Sequence, residues 1–377
     1  MGEESKIPPG AALAGASVKK PDAPSANARY IKRMSGLSHA RFGSEVTIDD
    51  VARAAEVSIR TVSRVLNNST KVNRDTRARV EAAVAELGFR PSLRARGLAT
   101  GRSFLMGLLH DEHNALHLAD VLRGAAREAS RRGYELIVHP MDENDPLGDA
   151  VDFVQRSRVD GLLVMAPVSG LEGLAEGLRE AGILACALSA VSLEGYAATL
   201  LYDERAGAAE AARHLMALGH TRIAMVCGPL DLISGRERRA GFVAALEAGG
   251  LTLAGEAHGD YGFHSGVAAG DEILSVVPRP TAIFAASDVM AAGVLKAAAN
   301  HGLEVPRDLS VVGFDGGMFA EMLSPALTSV QRPMGDIAEA GTSRLIDLVE
   351  DVVTERAFNT ALMIAPSESS ARAPEPA

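Results

Sequence analysis

Apolar residues recur along this chain at two different spacings, and the change falls near residue 104. Between Thr47 and Leu87 they keep helical spacing. Ile48, Val51, Ala52 and Ala55 share one face, Val62, Val65 and Leu66 a second, and Val80, Val84 and Leu87 a third. Thr47 with Asp50 three residues on reads as a capping box, Ser58 and Asn73 as further N-caps, and Gly88 as a stop. Three short helices are predicted: Ile48 to about Ala55, Ile59 to about Asn67, and one from Asn73 to Leu87. From Phe104 onward the apolar residues instead gather into runs of strand length, Phe104–Leu109, Tyr134–Val138, Gly161–Ala166, Ile183–Leu188, Ile223–Cys227, Ala282–Ala286 and Val311–Phe314. Amphipathic stretches such as Leu118–Arg132, Arg205–Leu218 and Arg236–Ala248 separate them. That alternation predicts an α/β fold with doubly wound parallel sheets, whose ligands bind beyond the carboxyl ends of the strands.

Charge divides the chain at the same place. Residues 45–103 carry 11 Lys and Arg against 7 Asp and Glu, whereas residues 104–377 carry 20 against 38. A basic head on an acidic body is the electrostatic footprint of a nucleic-acid module joined to something else. Residues 1–44 are also basic, rich in Pro, Ala, Ser and Gly, and without lasting period; they are expected to be a disordered leader. Neither a membrane span nor a secretory leader is found, and Cys186 and Cys227 lie in apolar runs as buried thiols, so a cytoplasmic location is expected.

Two short helices joined by a tight turn, the second presenting polar and basic groups, have the geometry that enters a major groove. On that second helix Ile59, Arg60 and Arg64 point outward. An arginine fork reads guanine O6 and N7, and Ile59 can touch a thymine methyl. Thr47, Ser58, Thr61, Ser63, Asn67 and Asn68 offer short side chains suited to phosphate oxygens.

The run V-S-x-x-T-V-S-R-V-L-N (57–67) followed by G-F-x-P-S-x-x-A-R-x-L (88–98) resembles the DNA-binding head and hinge helix of the lac-repressor family of bacterial regulators. The resemblance implies that residues 45–91 are a helix-turn-helix domain and 92–103 a hinge helix and linker. Paired hinges would enter the minor groove, with Leu98 as an apolar wedge and Ala95 beside it. Two residues depart from the family pattern: Glu56 stands where the turn usually has Gly, and Gly97 lies inside the hinge helix, where it lowers helix stability.

The body is similar to the same family's two-lobed effector domain of the type I periplasmic-binding-protein kind. The matching segments include S-R-V-D-G-L-L-V-M-A-P (157–167), S-G-R-E-R-R-A-G-F (234–242), R-P-T-A-I-F-A-A-S-D-V-M-A-A-G-V-L (279–295) and V-P-R-D-L-S-V-V-G-F-D (305–315). The resemblance implies an effector domain over 104–366, with a first lobe at about 104–202 and 333–351 and a second at about 203–332 and 352–366. Residues 367–377 are expected to be a disordered tail. Carried over by position, His110, Asp111, Asn114, His117, Arg236, Ser287 and Asp315 would hold the effector, a polar molecule such as a sugar or glycoside. The cluster His110, Asp111, Glu112, His113, Asn114 and His117 also has metal-ligand chemistry, but the family places effector contacts on this loop. No metal and no cofactor is expected.

These features predict a homodimeric regulator, a repressor of a pseudo-palindromic operator, with activation as the alternative set by promoter position. A solute-binding protein would need an export signal instead of the head. An enzyme would need a phosphate-cradling loop, a nucleophile elbow or an acid/base pair, and none is found, so no catalytic residues are assigned.

Overall fold

Thr47 opens the first helix by the expected reciprocal cap. The Asp50 N–H donates to Thr47 Oγ1, and the Thr47 N–H donates to Asp50 Oδ2 at 2.9 Å. The computed structural model describes residues 46–66, 69–89, Gly97, and residues 100–111, 115–142, 144–353 and 359–375. The chain divides into two compact units, Met1–Ser92 and Leu93–Ala377.

In the first unit, α1 is Ile48–Ala54, α2 Ile59–Leu66 and α3 Arg74–Leu87. Val51, Ala52, Ala55, Val62, Val65, Val80 and Ala83 close one small core, with Val84 and Leu87 half-buried against it. Arg77 fastens α3 to the end of α2, donating to the carbonyls of Ser69 at 2.7 Å and Val65 at 3.4 Å. Asn73 caps α3, and Gly88 ends it at φ 63°. The turn between α1 and α2 keeps its left-handed residue even without glycine: Glu56 sits at φ 52°, a conformation that side chains rarely adopt. The leader and the wedge position fall among residues 1–45, 90–96 and 98–99, outside the described residues.

The second unit holds two six-stranded sheets. The first contains β1 (Leu105–His110), β2 (Glu135–Pro140), β3 (Gly161–Val164), β4 (Ala185–Ser189), β5 (Ala198–Tyr202) and β11 (Asn359–Thr360), in the order β11-β5-β4-β3-β1-β2. The second contains β6 (Ile223–Cys227), β7 (Gly255–His258), β8 (Ala282–Ala285), β9 (Ser310–Asp315), β10 (Thr328–Gln331) and β12 (Met363–Ala365), in the order β12-β10-β9-β8-β6-β7. All pairings are parallel except β10 with β12. The expected α/β architecture is therefore present. Helices α4 (Ala115–Arg132), α5 (Pro146–Ser157), α6 (Leu174–Glu180) and α12 (Met334–Val349) serve the first lobe. The second lobe has α7 (Glu204–Ala217), α8 (Ile233–Ala248), α9 (Phe263–Leu274), α10 (Asp288–Asn300) and α11 (Met318–Met322).

The chain crosses between lobes three times: between β5 and α7, between β10 and α12, and between β11 and β12. The third crossing corrects the expected boundary. Residues 359 and 360 pair with Leu201 and Tyr202 in the first sheet, so the change of lobe comes at residues 361–362 and not near 351.

The tail is a second correction. Residues 367–377 were expected to be a disordered tail, yet within the described part, 367–375, Ser369 is fully buried. Its N–H donates to the Ala326 carbonyl at 3.0 Å and its carbonyl accepts from the Val311 N–H at 2.8 Å. The Ala373 N–H reaches Leu218 O at 2.9 Å. Small Ser and Ala side chains fit a narrow slot and leave the backbone free to hydrogen-bond, so apolar content misjudges them.

Candidate functional site

On the head, α2 buries Val62 and Val65 and leaves Ile59 46% exposed, with Arg60 exposed and Arg64 half-exposed. The three expected base-contacting residues therefore stand on the side away from the core. Ser58 caps α2, accepting from the Thr61 N–H at 3.2 Å, and its hydroxyl lies 2.9 Å from Thr61 Oγ1. These hydroxyls, with Thr47, are at the helix starts, where N–H groups and dipoles favour phosphate. Ser63 is half-buried. Asn67, Asn68, Ala95 and Leu98 lie outside the described residues.

In the body, a cavity of about 770 Å³ opens between the lobes at the carboxyl ends of the strands. Its floor is an ion-pair network. Arg238, on α8, is 3% exposed and forks Glu204, with Nη2 2.8 Å from Oε1 and Nε 3.0 Å from Oε2. Arg332, in the second crossing, donates to Glu204 Oε1 at 2.9 Å and to Asp315 Oδ1 at 2.7 Å. Arg238 Nη1 lies 3.6 Å from Asp315 Oδ1, and its guanidinium stacks 4.0 Å from the Phe314 ring centre. From the first lobe, His117 brings Nε2 to 2.9 Å from Asp315 Oδ1.

Asp315 ends β9 at φ 122°, a strained conformation for any residue but glycine. Burial alone would raise its pKa, but the His117 imidazole and the Arg332 and Arg238 charges hold it well below the usual carboxylate range. Burial lowers the pKa of His117. Behind them Asp288, first residue of α10, accepts from Gly316 N–H at 2.7 Å and from Ser329 Oγ at 2.6 Å. Burial, then the Asp315 carboxylate, pushes Asp288 up to about 8.

Four of the seven expected effector residues, Asp111, His117, Ser287 and Asp315, line the cavity. Ser287 also caps α10, accepting from the Met290 N–H at 3.1 Å. His110 is instead buried, its Nδ1 against the Asp111 carbonyl, and is not among the lining residues. Asn114 falls outside the described residues. Arg236 is corrected. It is exposed and donates from Nη1 to the carbonyls of Leu230 at 3.0 Å and Asp231 at 2.7 Å, bracing a loop from outside. Arg238, two residues on and roughly opposite on the helix, faces the cavity in its place. Arg332, Tyr202 and Tyr261 also line the cavity, Glu204 is held fully buried behind it by Arg238 and Arg332, and none of the four was expected. A signal for Arg238 existed: it falls on the helical stripe Gly235, Arg238, Phe242, Ala245, Leu246, whose other members are small or apolar.

Comparison with known proteins agrees with this geometry. Residues 47–92 match the family model described as bacterial regulatory proteins, lacI family, and residues 212–366 match a periplasmic binding protein-like domain. The HTH-type transcriptional repressor PurR of Salmonella newport is 34% identical over 308 residues, covering 80% of this chain and 90% of that one. The structure of a lac repressor dimer bound to operator and the anti-inducer ONPF superposes with a TM-score of 0.72 at 29% identity, over 87% of this chain and all of the other. A complex of the regulator CelR with cellobiose superposes with a TM-score of 0.64 at 30% identity, over 86% of this chain and all of that one. The chain belongs to the lacI family and is a DNA-binding transcriptional regulator controlled by a small-molecule effector.

Proposed function

We propose that this regulator is a homodimeric repressor whose effector is an uncharged, hydroxyl-rich molecule with an apolar face, a sugar or glycoside. The observation that carries the reading is the charge balance of the cavity floor. Arg238 and Arg332 are matched by Glu204 and Asp315, so among the described residues the floor carries no net positive charge to attract a phosphate or carboxylate. Asp111, Asp231 and Asp260 add further negative charge at the lining, which disfavours anions. Asp315 can accept from paired hydroxyls, while Met141, Met165, Val168, Leu171, Leu232 and Val289 offer an apolar wall.

Two-fold symmetry doubles the few base pairs that one recognition helix reads, which supports the dimer. Effector binding would close or open the lobes and so shift the population able to hold operator. A thermal-shift screen of neutral sugars, glycosides and sugar phosphates, followed by operator gel-shift with each hit, tests this. The reading requires a neutral ligand that both stabilises the body and changes operator affinity. A sugar phosphate as the sole hit refutes it.

A further inference from the structure

Cys227 ends β6 and His258 ends β7, its parallel neighbour at the edge of the second sheet. The register sets Cys227 beside His258 and Met225 beside Glu256. Side chains alternate along a strand, so Cys227, Glu256 and His258 leave the sheet on one face. Their sulfur, oxygen and nitrogen atoms all lie within 4.8 Å of one another. Two of the separations are shorter: Glu256 Oε1 is 3.5 Å from Cys227 Sγ and 3.5 Å from His258 Nε2. A tetrahedral zinc ion, with bonds of about 2.0–2.3 Å, sets its ligands about 3.3–3.8 Å apart. Two edges of such a tetrahedron are therefore already drawn.

We propose that Cys227, Glu256 and His258 form a binding site for a divalent transition-metal ion of the zinc class, with water in the fourth position. A thiolate, a carboxylate and an imidazole are the donors that zinc takes, and three protein ligands leave the open position of a non-structural site. The present partner of Glu256 is Arg239, which donates from Nε to Oε1 at 2.7 Å and from Nη2 to Oε2 at 2.9 Å. Binding through Oε1 releases the first of these bonds together with the Cys227 thiol's bond to the same oxygen. The second keeps Arg239 on Oε2 as the outer partner that orients the carboxylate. The Cys227 thiol is buried and protonated, so the incoming ion displaces that proton to water and forms the metal–sulfur bond, with no change in oxidation state. The half-exposed His258 side chain marks the path of entry. The chain runs from Cys227 to Pro229 and from His258 to Asp260 and Tyr261, three residues that line the effector cavity. An ion here would pin two walls of that cavity from behind.

The test is titration of the full-length protein with Co²⁺, read by its thiolate-to-cobalt charge-transfer absorption, then displacement by Zn²⁺. One equivalent should bind. The charge-transfer band should vanish in Cys227→Ser, and affinity should fall about tenfold or more in His258→Ala, a surface change checked for an intact fold by circular dichroism. Absence of the band in the unmodified protein overturns the proposal, as does unchanged affinity in His258→Ala.

Discussion

Arg332 grips Asp315 twice. Its backbone N–H donates to the Asp315 carbonyl at 2.9 Å, and its Nη2 donates to Asp315 Oδ1 at 2.7 Å. Arg332 lies in a segment that joins the lobes, and Asp315 sits at the cavity floor, so the aim of the carboxylate depends on the path of the crossing. Arg332→Ala would leave Glu204 and Asp315 short of a buried partner. Thermal denaturation should show a loss of about 3–5 kcal/mol. A loss below about 1 kcal/mol would mean that the network tolerates the gap.

Asp288 gives the body a pH dependence. Its folded pKa of about 8 lies above the ordinary value of 3.8. The stabilisation that its proton brings is therefore complete below pH 3.8 and lost as pH rises through about 8. Asp315 shifts the other way, so its contribution is lost only as pH falls below the ordinary carboxylate range. Between about pH 5 and about pH 8 stability should fall by at most about 1.4 kcal/mol per pH unit from Asp288. Melting curves of Asp288→Asn across this window should start lower and run flatter. Parallel slopes in the two proteins would assign the dependence to other groups.

Arg60→Ala and Arg64→Ala should each weaken operator binding by about 1–3 kcal/mol while changing affinity for random DNA much less. Gel-shift at fixed salt with both DNAs distinguishes base reading from phosphate contact. Equal losses on both would place the two arginines on the backbone.

Glu56→Gly should stabilise the head by about 0.5–1 kcal/mol, because relief of the left-handed strain exceeds the added chain entropy of glycine. Denaturant unfolding of the isolated residues 45–92 would read it. A destabilised variant would show that the Glu56 side chain makes up for the strain.

The three head helices were legible because Thr47, Ser58, Asn73 and Gly88 mark their ends in the sequence itself. The central strands were legible because burial on both faces makes them continuous apolar runs. β7, β11 and β12 were not, lying at sheet edges, nor were β5 and β10, which like β7 (Gly255–His258) mix polar with apolar residues. The site was half legible. Asp315 and Ser287 end apolar runs, where ligands bind. Glu204 opens α7 just after the first crossing and Arg332 lies in the second, and only the return of the chain between the lobes brings them together.

The slot filled by the tail gives residues 367–375 a task that reaches past the matched segment, which ends at residue 366. Shortening the chain to that point would strip the Val311 and Thr328 N–H groups of their acceptors on Ser369, and the buried His220 of its contact with the Ala371 carbonyl. Each orphaned group costs about 1–3 kcal/mol. The last few residues thus act as a seal on the second sheet, and a cut there would open the lobe from the side opposite its ligand.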